Sequence, residues 1–539
     1  MDRGQLLLPL LSSFEPRLDH RSQRSPSRRQ PPRHRHDLPH NDDRRQQAAN
    51  NQRQVIRVTP QHQQTLAQAD ESPQVSNRDL ARAAWASSLG SALEYYDFAL
   101  YSLASALVFS PLFFPGSNPA TGLILSFGTY FLGFAVRPLG GIIFGRLGDR
   151  LGRKFVLLTT ILLMGGASTL IGVLPTYNGS PGDWYSGGVG ILAPVLLIVL
   201  RLLQGLGAGA EMAGASILMT EYAPVRRRGF IASLPFLGVQ MGTVTAALVY
   251  FLLLNTNQAV KITDTWLWRV PFLASVVILV VAIYIRLRLK ESPTFAKLEP
   301  HEQVTDKPLR NLLKRSGKSV LLGIGLRMAE NGGSSIYQAL AVAFVSSAAI
   351  GIKGPIGALS LVFAAAVGAA VVPLAGWLTD RYGRVRTYRA FAIFQLLAAF
   401  PIWYALSFGD TLLTIVVVSI GLGVGTWGMF GSQSALMCEL FGSRQRYLGV
   451  SVAREGSAVI AGGIAPMIGA WLMSFAVTAE GGSAVPHAGS GAWLPIAGYL
   501  SLLTVITIIA TFFTPETGGR NLEDPRDALH SEIAAPAAR

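Results

Sequence analysis

The chain has 539 residues, of which 50% are hydrophobic and 14% charged, and it carries a net charge of +15. So apolar a composition excludes an ordinary soluble protein of this length. The positive residues stand in short clusters between long apolar runs, which indicates membrane topology rather than binding to nucleic acid.

Residues 1 to about 78 are rich in Arg, Gln, Ser, Pro and His and lack the apolar residues that a core requires. We predict a disordered basic tail over residues 1–82. One interpretation is an arm that contacts anionic lipid; the one we favour is a dispensable extension or a misplaced start site.

From Ala83 onward, apolar segments of about twenty residues recur, each long enough to cross a hydrocarbon core of about 30 Å. They predict twelve transmembrane helices, named spans 1 to 12, over residues 84–108, 121–145, 155–174, 190–221, 229–254, 268–287, 318–346, 354–378, 388–407, 411–440, 447–475 and 493–513.

Arginine and lysine concentrate at one end of these spans. Thirteen of them follow spans 2, 4, 8 and 10, whereas the opposite short loops offer little beyond Lys261 and Lys353. The positive-inside rule therefore predicts that both chain termini and the ends of the even-numbered spans face the cytoplasm.

Residue types that bind metals are scarce in the spans. The single cysteine, Cys438, cannot form an internal disulfide, and the eight histidines all fall in predicted tails or loops. We therefore expect no metal and no cofactor, and a buried proton carrier has to be a carboxylate. A nucleotide-binding glycine loop is also missing, which points to an ion gradient as the energy source.

Two motifs occur twice, in the same order. The run GRLGDRLGRK from Gly145 to Lys154 returns as GWLTDRYGR from Gly376 to Arg384. Four residues return at one offset of 218 positions: Met219, Glu221, Arg226 and Arg228 as Met437, Glu439, Arg444 and Arg446. The repetition indicates two homologous halves.

These halves set the predicted domain boundaries. The N-terminal six-helix half covers residues 83–290 and the C-terminal six-helix half residues 318–514. A cytoplasmic loop over 291–317 joins them, and a cytoplasmic tail follows over 515–539.

The repeated loops around Asp149 and Asp380 resemble the signature loop of the major facilitator superfamily. Further motifs resemble its metabolite:proton symporter branch, which includes shikimate, α-ketoglutarate, citrate and proline/betaine carriers: Leu93-Glu-Tyr-Tyr-Asp-Phe98, Arg137-Pro-Leu-Gly-Gly141, Arg201-Leu-Leu-Gln-Gly205, Arg327 with Glu330 and Asn331, and Arg454-Glu455. The first half looks most like shikimate-type carriers. The resemblance covers about residues 84–515. It implies an all-α membrane protein with the major facilitator fold, that is, twelve transmembrane helices in two six-helix halves.

Charged residues at membrane depth are the main functional signal, because each costs at least about 2.5–3.5 kcal/mol in hydrocarbon. At a rise of about 1.5 Å per residue, Glu94 lies roughly 15 Å into span 1, Arg201 roughly 16 Å into span 4 and Arg327 roughly 14 Å into span 7. The family resemblance implies that spans 1, 4, 7 and 10 line a central cavity, so we expect these charges to meet there.

Each candidate residue then receives a predicted role. The predicted substrate contacts are Arg201, Gln204, Arg327, Tyr101 and Tyr95, because guanidinium groups suit carboxylates. The predicted proton carriers are Glu94, Asp97, Glu211 and Glu330, since burial favours a protonated carboxyl and a nearby arginine an ionised one. Structural ion pairs are the alternative for all of these residues.

A third group lies near the arginine-rich ends of the spans and is predicted to gate the halves. Its members are Asp149, Arg150, Arg153, Asp380, Arg381, Arg384, Arg137, Glu221, Arg228, Glu439 and Arg444. Arg454 and Glu455 are weaker candidates for the substrate site, because the resemblance implies that span 11 is peripheral.

We therefore predict a bacterial inner-membrane transporter that carries a small carboxylate-bearing metabolite together with a proton, needs no oligomer and contacts only lipids besides its cargo. The rival within transport is a zwitterionic osmolyte carrier, in which Tyr95, Tyr96, Trp427 and Tyr337 cage a quaternary ammonium. A non-transporting sensor and a membrane-embedded enzyme are more distant alternatives.

Overall fold

A computed structural model describes residues 77–151, 153–179, 187–209, 212–256, 262–288, 308–347, 350, 352, 355–479 and 491–530. All of them belong to one compact unit, Val75–Arg539. The described residues are almost entirely helical, and none of them forms a β-strand.

Helices occupy all six predicted spans of the N-terminal half. In order, they are Asn77–Leu107 for span 1, Pro119–Ala135 with Arg137–Leu151 for span 2, Arg153–Ile171 for span 3, Leu192–Ala208 with Met212–Tyr222 for span 4, Arg228–Ser233 with Leu237–Thr256 for span 5, and Val270–Arg288 for span 6.

The C-terminal half repeats the pattern, with three π-helical interruptions. Its helices are Pro308–Ser335, the π segment Ile336–Leu340 and Ala341–Ser346 for span 7, Ile356–Tyr382 for span 8, Arg384–Leu406 for span 9, Thr411–Val418, the π segment Ser419–Thr426 and Trp427–Leu440 for span 10, Arg446–Ser457, the π segment Ala458–Gly463 and Ile464–Ala479 for span 11, and Trp493–Phe513 for span 12. The fold predicted from the sequence is therefore confirmed.

Local sequence explains where several helices begin. Asn118 precedes Pro119 and its side chain accepts a hydrogen bond from the backbone N–H of Thr121, which caps span 2. Asp410 caps span 10 in the same way through the N–H of Leu413. Between spans 8 and 9 the chain turns within one residue, at Gly383, whose φ of +101° favours glycine.

Eight helices of the described chain are both long and apolar enough to cross a membrane, namely spans 2, 5, 6 and 8 to 12. Spans 3 and 4 contain shorter apolar helices, Leu158–Ile171 and Leu192–Ala208. Spans 1 and 7 are long but polar, because they hold the buried pairs Glu94 with Asp97 and Arg327 with Glu330. Spans 1 and 7 thus each carry two buried ionisable residues.

Two boundaries differ from the predicted ones. Span 1 begins at Asn77, inside the predicted tail 1–82, and span 7 begins at Pro308, inside the predicted loop 291–317. In span 7 the extra helix is set off by non-helical backbone at Ser316, with φ −122° and ψ 18°. Leu312 on this extension is fully buried, so packing stabilises a segment whose charges suggested a loop.

The two halves meet along spans 2 and 11 on one side and spans 5 and 8 on the other. Spans 1 and 7 also contact each other, and the hydroxyl groups of Tyr130 in span 2 and Ser335 in span 7 lie 3.3 Å apart across the interface between the halves. The buried charges of span 7 therefore lie beside the interface between the halves.

Candidate transport site

One cluster of buried charges lies inside the N-terminal half. Glu94, Asp97, Arg137, Arg201 and Gln204 line a small cavity together with apolar and glycine residues of spans 1 to 4. We call it the N-half cavity. Two carboxylates and two guanidinium groups thus line one cavity. Glu94 and Arg201 lie together there, whereas Arg327, which was expected in the same cavity, lines the second cavity described below.

Arg201 is fixed by an aromatic ring and a relay of hydrogen bonds. Its guanidinium carbon lies 3.7 Å from the centre of the Tyr101 ring, and its Nη1 donates to Gln204 Oε1 at 2.5 Å. Gln204 in turn donates to Ser168 Oγ of span 3 at 2.6 Å. The arginine is therefore held rigidly toward the cavity.

Asp97 lies on the same helix face as Glu94, one turn further along span 1. Its Oδ1 accepts a hydrogen bond from Ser275 of span 6 at 3.2 Å, and 5% of the residue is exposed. A buried carboxyl with hydroxyl and guanidinium neighbours can hold or release a proton as its surroundings change.

A second cluster lies between the halves, in what we call the interface cavity. Its N-terminal wall consists of Tyr95, Phe98, Phe134 and Arg137. Its C-terminal wall consists of Arg327, Glu330, Asn331, Ser334, Ser335, Arg454, Glu455 and Ala458. Aromatic rings on one side and charges on both suit a small ligand with a charged group and an apolar body.

Arg327 is the most heavily bonded group of the interface cavity. It pairs with Glu330 Oε2 at 3.0 Å and donates to Gln433 Oε1 at 2.8 Å, to Ser457 Oγ at 3.2 Å and to Asn331 Oδ1 at 3.3 Å. These contacts tie spans 7, 10 and 11 together. A ligand carboxylate would have to share this arginine with Glu330.

Arg137 lies at the boundary between the two cavities and lines both of them. Its guanidinium carbon sits 4.7 Å from the ring centre of Phe98 and 4.6 Å from that of Phe134. Among the described residues it makes these ring contacts and no ion pair, and its Nε is buried without a hydrogen-bond partner. Its predicted gating role stays a prediction, but it faces the site rather than the arginine-rich end.

Some predicted site residues lie elsewhere. Tyr101 is fully buried behind Arg201 and hydrogen-bonds Thr129 at 2.8 Å, so it supports the site without lining either cavity. Glu211 lies outside the described residues. Of the predicted aromatic cage only Tyr95 faces a cavity: Tyr337 stacks on Trp403, Trp427 packs against Gly368, and Tyr96 donates to the Pro271 carbonyl.

The sequence analysis treated Arg454 and Glu455 as weaker candidates for the substrate site than the structure indicates. Span 11 was expected to be peripheral, yet both residues line the interface cavity and are buried. The π segment Ala458–Gly463 follows them directly and changes the helical register. Their adjacency in an apolar span was the available signal.

At the arginine-rich end, two ion pairs join the halves reciprocally. Arg228 Nη1 pairs with Glu439 Oε1 at 3.0 Å, and Arg446 Nη1 pairs with Glu221 Oε1 at 2.8 Å. Glu221 and Glu439, like Arg228 and Arg446, are repeat mates at the offset of 218 positions. Each acid therefore binds the arginine of the other half, as a two-fold related interface requires.

Asp380 adds a third link between the halves. Its two carboxylate oxygens accept hydrogen bonds from the backbone N–H groups of Gly229 and Phe230, both at 2.8 Å, at the start of span 5. Arg384 bridges Asp380 at 2.6 Å and Glu439 at 3.2 Å. We call this set, with the two reciprocal ion pairs, the latch. Its bonds connect the two halves at the arginine-rich end.

Residues 514–530 form a strap across the same end. Thr517 Oγ1 donates to Glu439 Oε2 at 2.9 Å, and Arg228 Nη1 donates to the carbonyl of Arg520 at 2.9 Å. The predicted C-terminal tail is thus ordered as far as its described residues reach and is bonded to both halves.

The remaining predicted gating residues are distributed as follows. Arg381 is placed over the rings of Trp377 and Tyr382, and Arg444 is exposed, so that Arg446 rather than Arg444 belongs to the latch. The side chains of Asp149, Arg150 and Arg153 lie outside the described part of the structure.

Comparison with known proteins decides the family. The sequence model of the Major Facilitator Superfamily matches residues 87–466 of this chain. The chain belongs to this superfamily. A putative transporter of Escherichia coli K12, YdfJ, is 35% identical over 81% of this chain and 97% of its own length. The E. coli K12 shikimate transporter is 35% identical over 73% of this chain and 88% of its own.

More distant relatives extend the range of transporters. The E. coli K12 proline/betaine transporter is 28% identical over 83% of this chain and 86% of its own length. A crystal structure of a D-xylose-proton symporter matches the fold with a TM-score of 0.62 at 17% identity, covering 81% of this chain and 99% of that protein. The superfamily protein described here is thus a multi-pass membrane transporter and not an enzyme.

The packing of Gly133 yields a test of the N-half cavity. A Cβ atom at Gly133 would lie 2.7 Å from Arg201 Cζ, so Gly133→Ala must displace the guanidinium from its site. We expect uptake to fall at least about tenfold, because small misplacements of a binding group are costly. Gly128→Ala in the same helix is the matched control, since its Cβ would meet only Met467 Sδ at 3.9 Å. Equal uptake by both variants would contradict the assignment of Arg201.

Proposed function

We propose that this transporter carries a small carboxylate-bearing metabolite, of shikimate or dicarboxylate type, in symport with a proton. The observation that carries the proposal is the interface cavity, where Arg327, Arg454 and Arg137 converge beside three aromatic rings. Guanidinium groups recognise carboxylates with two parallel hydrogen bonds, and the rings suit an apolar body.

Proton coupling is the second element of the proposal. Its support is the pair Glu94 and Asp97, which line the N-half cavity close to Arg201 without facing bulk water. Buried carboxylates near a transport path are proton carriers in many pumps and transporters. The alternating access that the proposal requires would open the latch toward the cytoplasm and close it again.

The proposed setting is the bacterial inner membrane with both termini in the cytoplasm. The arginine-rich ends of the spans support this orientation through the positive-inside rule. In that orientation the latch and the strap close the cytoplasmic side, and substrate enters from the opposite side.

A zwitterionic osmolyte is the second candidate cargo, and its support is the relationship to a proline/betaine transporter. Only one of the four aromatic residues proposed to cage a quaternary ammonium, Tyr95, lines the interface cavity. This arrangement favours the carboxylate.

Uptake by proteoliposomes tests both candidates. The full chain is reconstituted and given labelled shikimate, α-ketoglutarate, proline and glycine betaine, each with and without an imposed pH gradient, acidic outside. We expect a carboxylate to accumulate only with the gradient. Accumulation of betaine alone would replace the carboxylate as cargo, and no gradient-dependent uptake of any compound would refute proton symport of these substrates.

A further inference from the structure

Tyr130 of span 2 lies between the two cavities and contacts a wall residue of each. It is fully buried, and its ring centre lies 5.4 Å from the guanidinium carbon of Arg201, which lines the N-half cavity. Its hydroxyl oxygen lies 3.3 Å from Oγ of Ser335, which belongs to the C-terminal wall of the interface cavity. One side chain therefore joins the proposed proton site to the proposed substrate site.

Aromatic packing surrounds the ring of Tyr130. The ring centres of Phe98 and Phe134 lie 5.7 and 5.1 Å from it, and both of these residues line the interface cavity. Close-packed side chains transmit a displacement to their neighbours, because there is little free space to absorb it. A shift of the Tyr130 ring therefore reaches the cavity walls.

Ser102 of span 1 offers the Tyr130 hydroxyl a second partner, within its own half. Its Oγ lies close to that hydroxyl, yet it is buried without a hydrogen bond in the part of the chain that the structure describes. The bond to Ser335, at 3.3 Å, is longer than the common O–H···O distance of about 2.7–2.8 Å. Exchange of Ser335 for Ser102 therefore leaves the tyrosine hydroxyl bonded at little cost.

The bond between Tyr130 and Ser335 depends on how the halves are arranged. Tyr130 lies closer to Pro119, at the end of span 2 opposite the latch, than to Leu151 at the arginine-rich end. When the halves part on the side opposite the latch, Ser335 moves away with span 7, whereas Ser102 stays with Tyr130 in the N-terminal half.

We propose that Tyr130 is a positioning residue that couples substrate binding to proton binding. Its hydroxyl binds Ser335 when the halves close over the substrate and Ser102 when they part, and its ring carries this change to Arg201. The inference rests on the proposed function and adds to it the residue that links the two cavities.

Arg201 is the group through which Tyr130 acts on the proton site. Whether a buried carboxyl holds a proton depends on the cations, carboxylates and hydrogen-bond donors around it. Among the described residues, the groups that face Asp97 come from five spans: Glu94 and Tyr96 of span 1, Arg137 of span 2, Ser168 of span 3, Arg201 of span 4 and Ser275 of span 6. Arg201 is the member of this set that lies over the Tyr130 ring, so movement of the ring changes the surroundings of Asp97.

The coupling is tested by the pH dependence of binding. Labelled shikimate, or α-ketoglutarate if shikimate is not carried, is bound to the purified full chain at two pH values. For one linked proton, the dissociation constant of the unaltered chain should rise by up to about tenfold per pH unit. Tyr130→Phe keeps the ring and loses the hydroxyl. We expect it to reduce this rise at least about threefold, within the range of one neutral hydrogen bond.

A double-mutant cycle separates coupling from a general structural effect. Ser335→Ala should reduce the pH dependence as Tyr130→Phe does, and the double variant should reduce it no further, because each change removes the same interaction. The ratio of dissociation constants at the two pH values cancels any uniform loss of affinity. Tyr250→Phe is the matched control and should keep the pH dependence, since the Tyr250 hydroxyl is buried without a partner among the described residues.

The outcomes distinguish the inference from the proposed function. Unchanged pH dependence in Tyr130→Phe, or effects that add in the double variant, overturn the role of Tyr130 and leave proton symport standing. Absence of pH dependence in the unaltered chain refutes proton symport itself.

Ser102→Ala tests the other position of the switch. It removes the partner that Tyr130 gains when the halves part, so we expect initial uptake to slow by about twofold to tenfold. Ser105→Ala is the matched control, because the Ser105 hydroxyl, one turn further along span 1, is equally buried and also has no partner within the described chain. Equal uptake by the two variants overturns the switch.

Discussion

Replacing Glu439 with glutamine should open the arginine-rich end of the bundle and expose Cys438. Glu439 is fully buried and accepts from Arg228, Arg384 and Thr517. The substitution keeps its shape but removes the carboxylate that pairs with Arg228 and leaves Arg384 paired with Asp380 alone of its two acids. Removing one partner of a buried ion pair costs roughly 3–5 kcal/mol of stability. Only the closed state contains the pair, so only the closed state would be destabilised.

Cys438 reports the opening without any engineered label. It is the chain's single cysteine, and its fully buried thiol faces the hydroxyl of Thr220 in the other half. Separation of the halves at this end uncovers it. We expect the rate of N-ethylmaleimide labelling to rise at least about tenfold in Glu439→Gln, since about 1.4 kcal/mol corresponds to a factor of ten in population.

Arg444→Gln is the matched control for this experiment. Arg444 lies close to Glu439 in sequence, at the same end of the bundle, but is exposed and outside the latch. Its labelling rate should equal that of the unaltered chain. If Glu439→Gln labels as slowly as the control, Glu439 does not hold the closed state.

The latch also shows how far the sequence reaches. The offset of 218 positions predicted that Glu221 and Glu439 play matching roles, and the structure adds that each acid pairs with the arginine of the opposite half. An internal repeat implies two related halves. Which of the repeated residues pair with the opposite half depends on how the halves dock. That docking is a tertiary property which no local pattern encodes.

The sequence also predicted which charged residues are buried. A charged side chain in hydrocarbon has a high free-energy cost, so Glu94, Arg201 and Arg327 stand out in apolar spans. That cost alone predicted that these residues lie near cavities. Arg454 and Glu455 were undervalued because a helix's position in the bundle was inferred from family resemblance. A π segment shifts the face that a helix presents, and composition does not reveal such a shift.

The strap escaped prediction altogether. Residues 514–530 are polar and lack periodicity, so they were expected to be a plain tail. Their attachment combines main-chain groups, for example the N–H of Ala528 bonded to the Leu440 carbonyl at 3.0 Å, with side chains such as Asp527, which accepts from the N–H of Gly442 at 3.0 Å. Main-chain bonds leave little trace in residue type, and polar side chains in a segment without periodicity do not indicate which partners they will find.

Substituting Arg201 should have the largest effect on transport. Arg201→Ala removes the guanidinium that lines the N-half cavity together with Glu94 and Asp97. A carboxylate that loses a nearby cation in a buried site favours the protonated form, which would hinder the release of its proton. We expect gradient-driven uptake to fall at least about 100-fold, which corresponds to about 2.7 kcal/mol.

Arg201→Lys separates charge from geometry. Lysine restores the positive charge but not the planar contact with the Tyr101 ring or the fork that reaches Gln204. We expect partial uptake, reduced about tenfold. The initial rate of proton-driven uptake is measured for Ala, Lys and the Gly128→Ala control at equal amounts of inserted protein. Normal uptake by Arg201→Ala would remove the N-half cavity from the mechanism, because proton exchange at Glu94 and Asp97 would then not depend on the cation that lines the cavity with them.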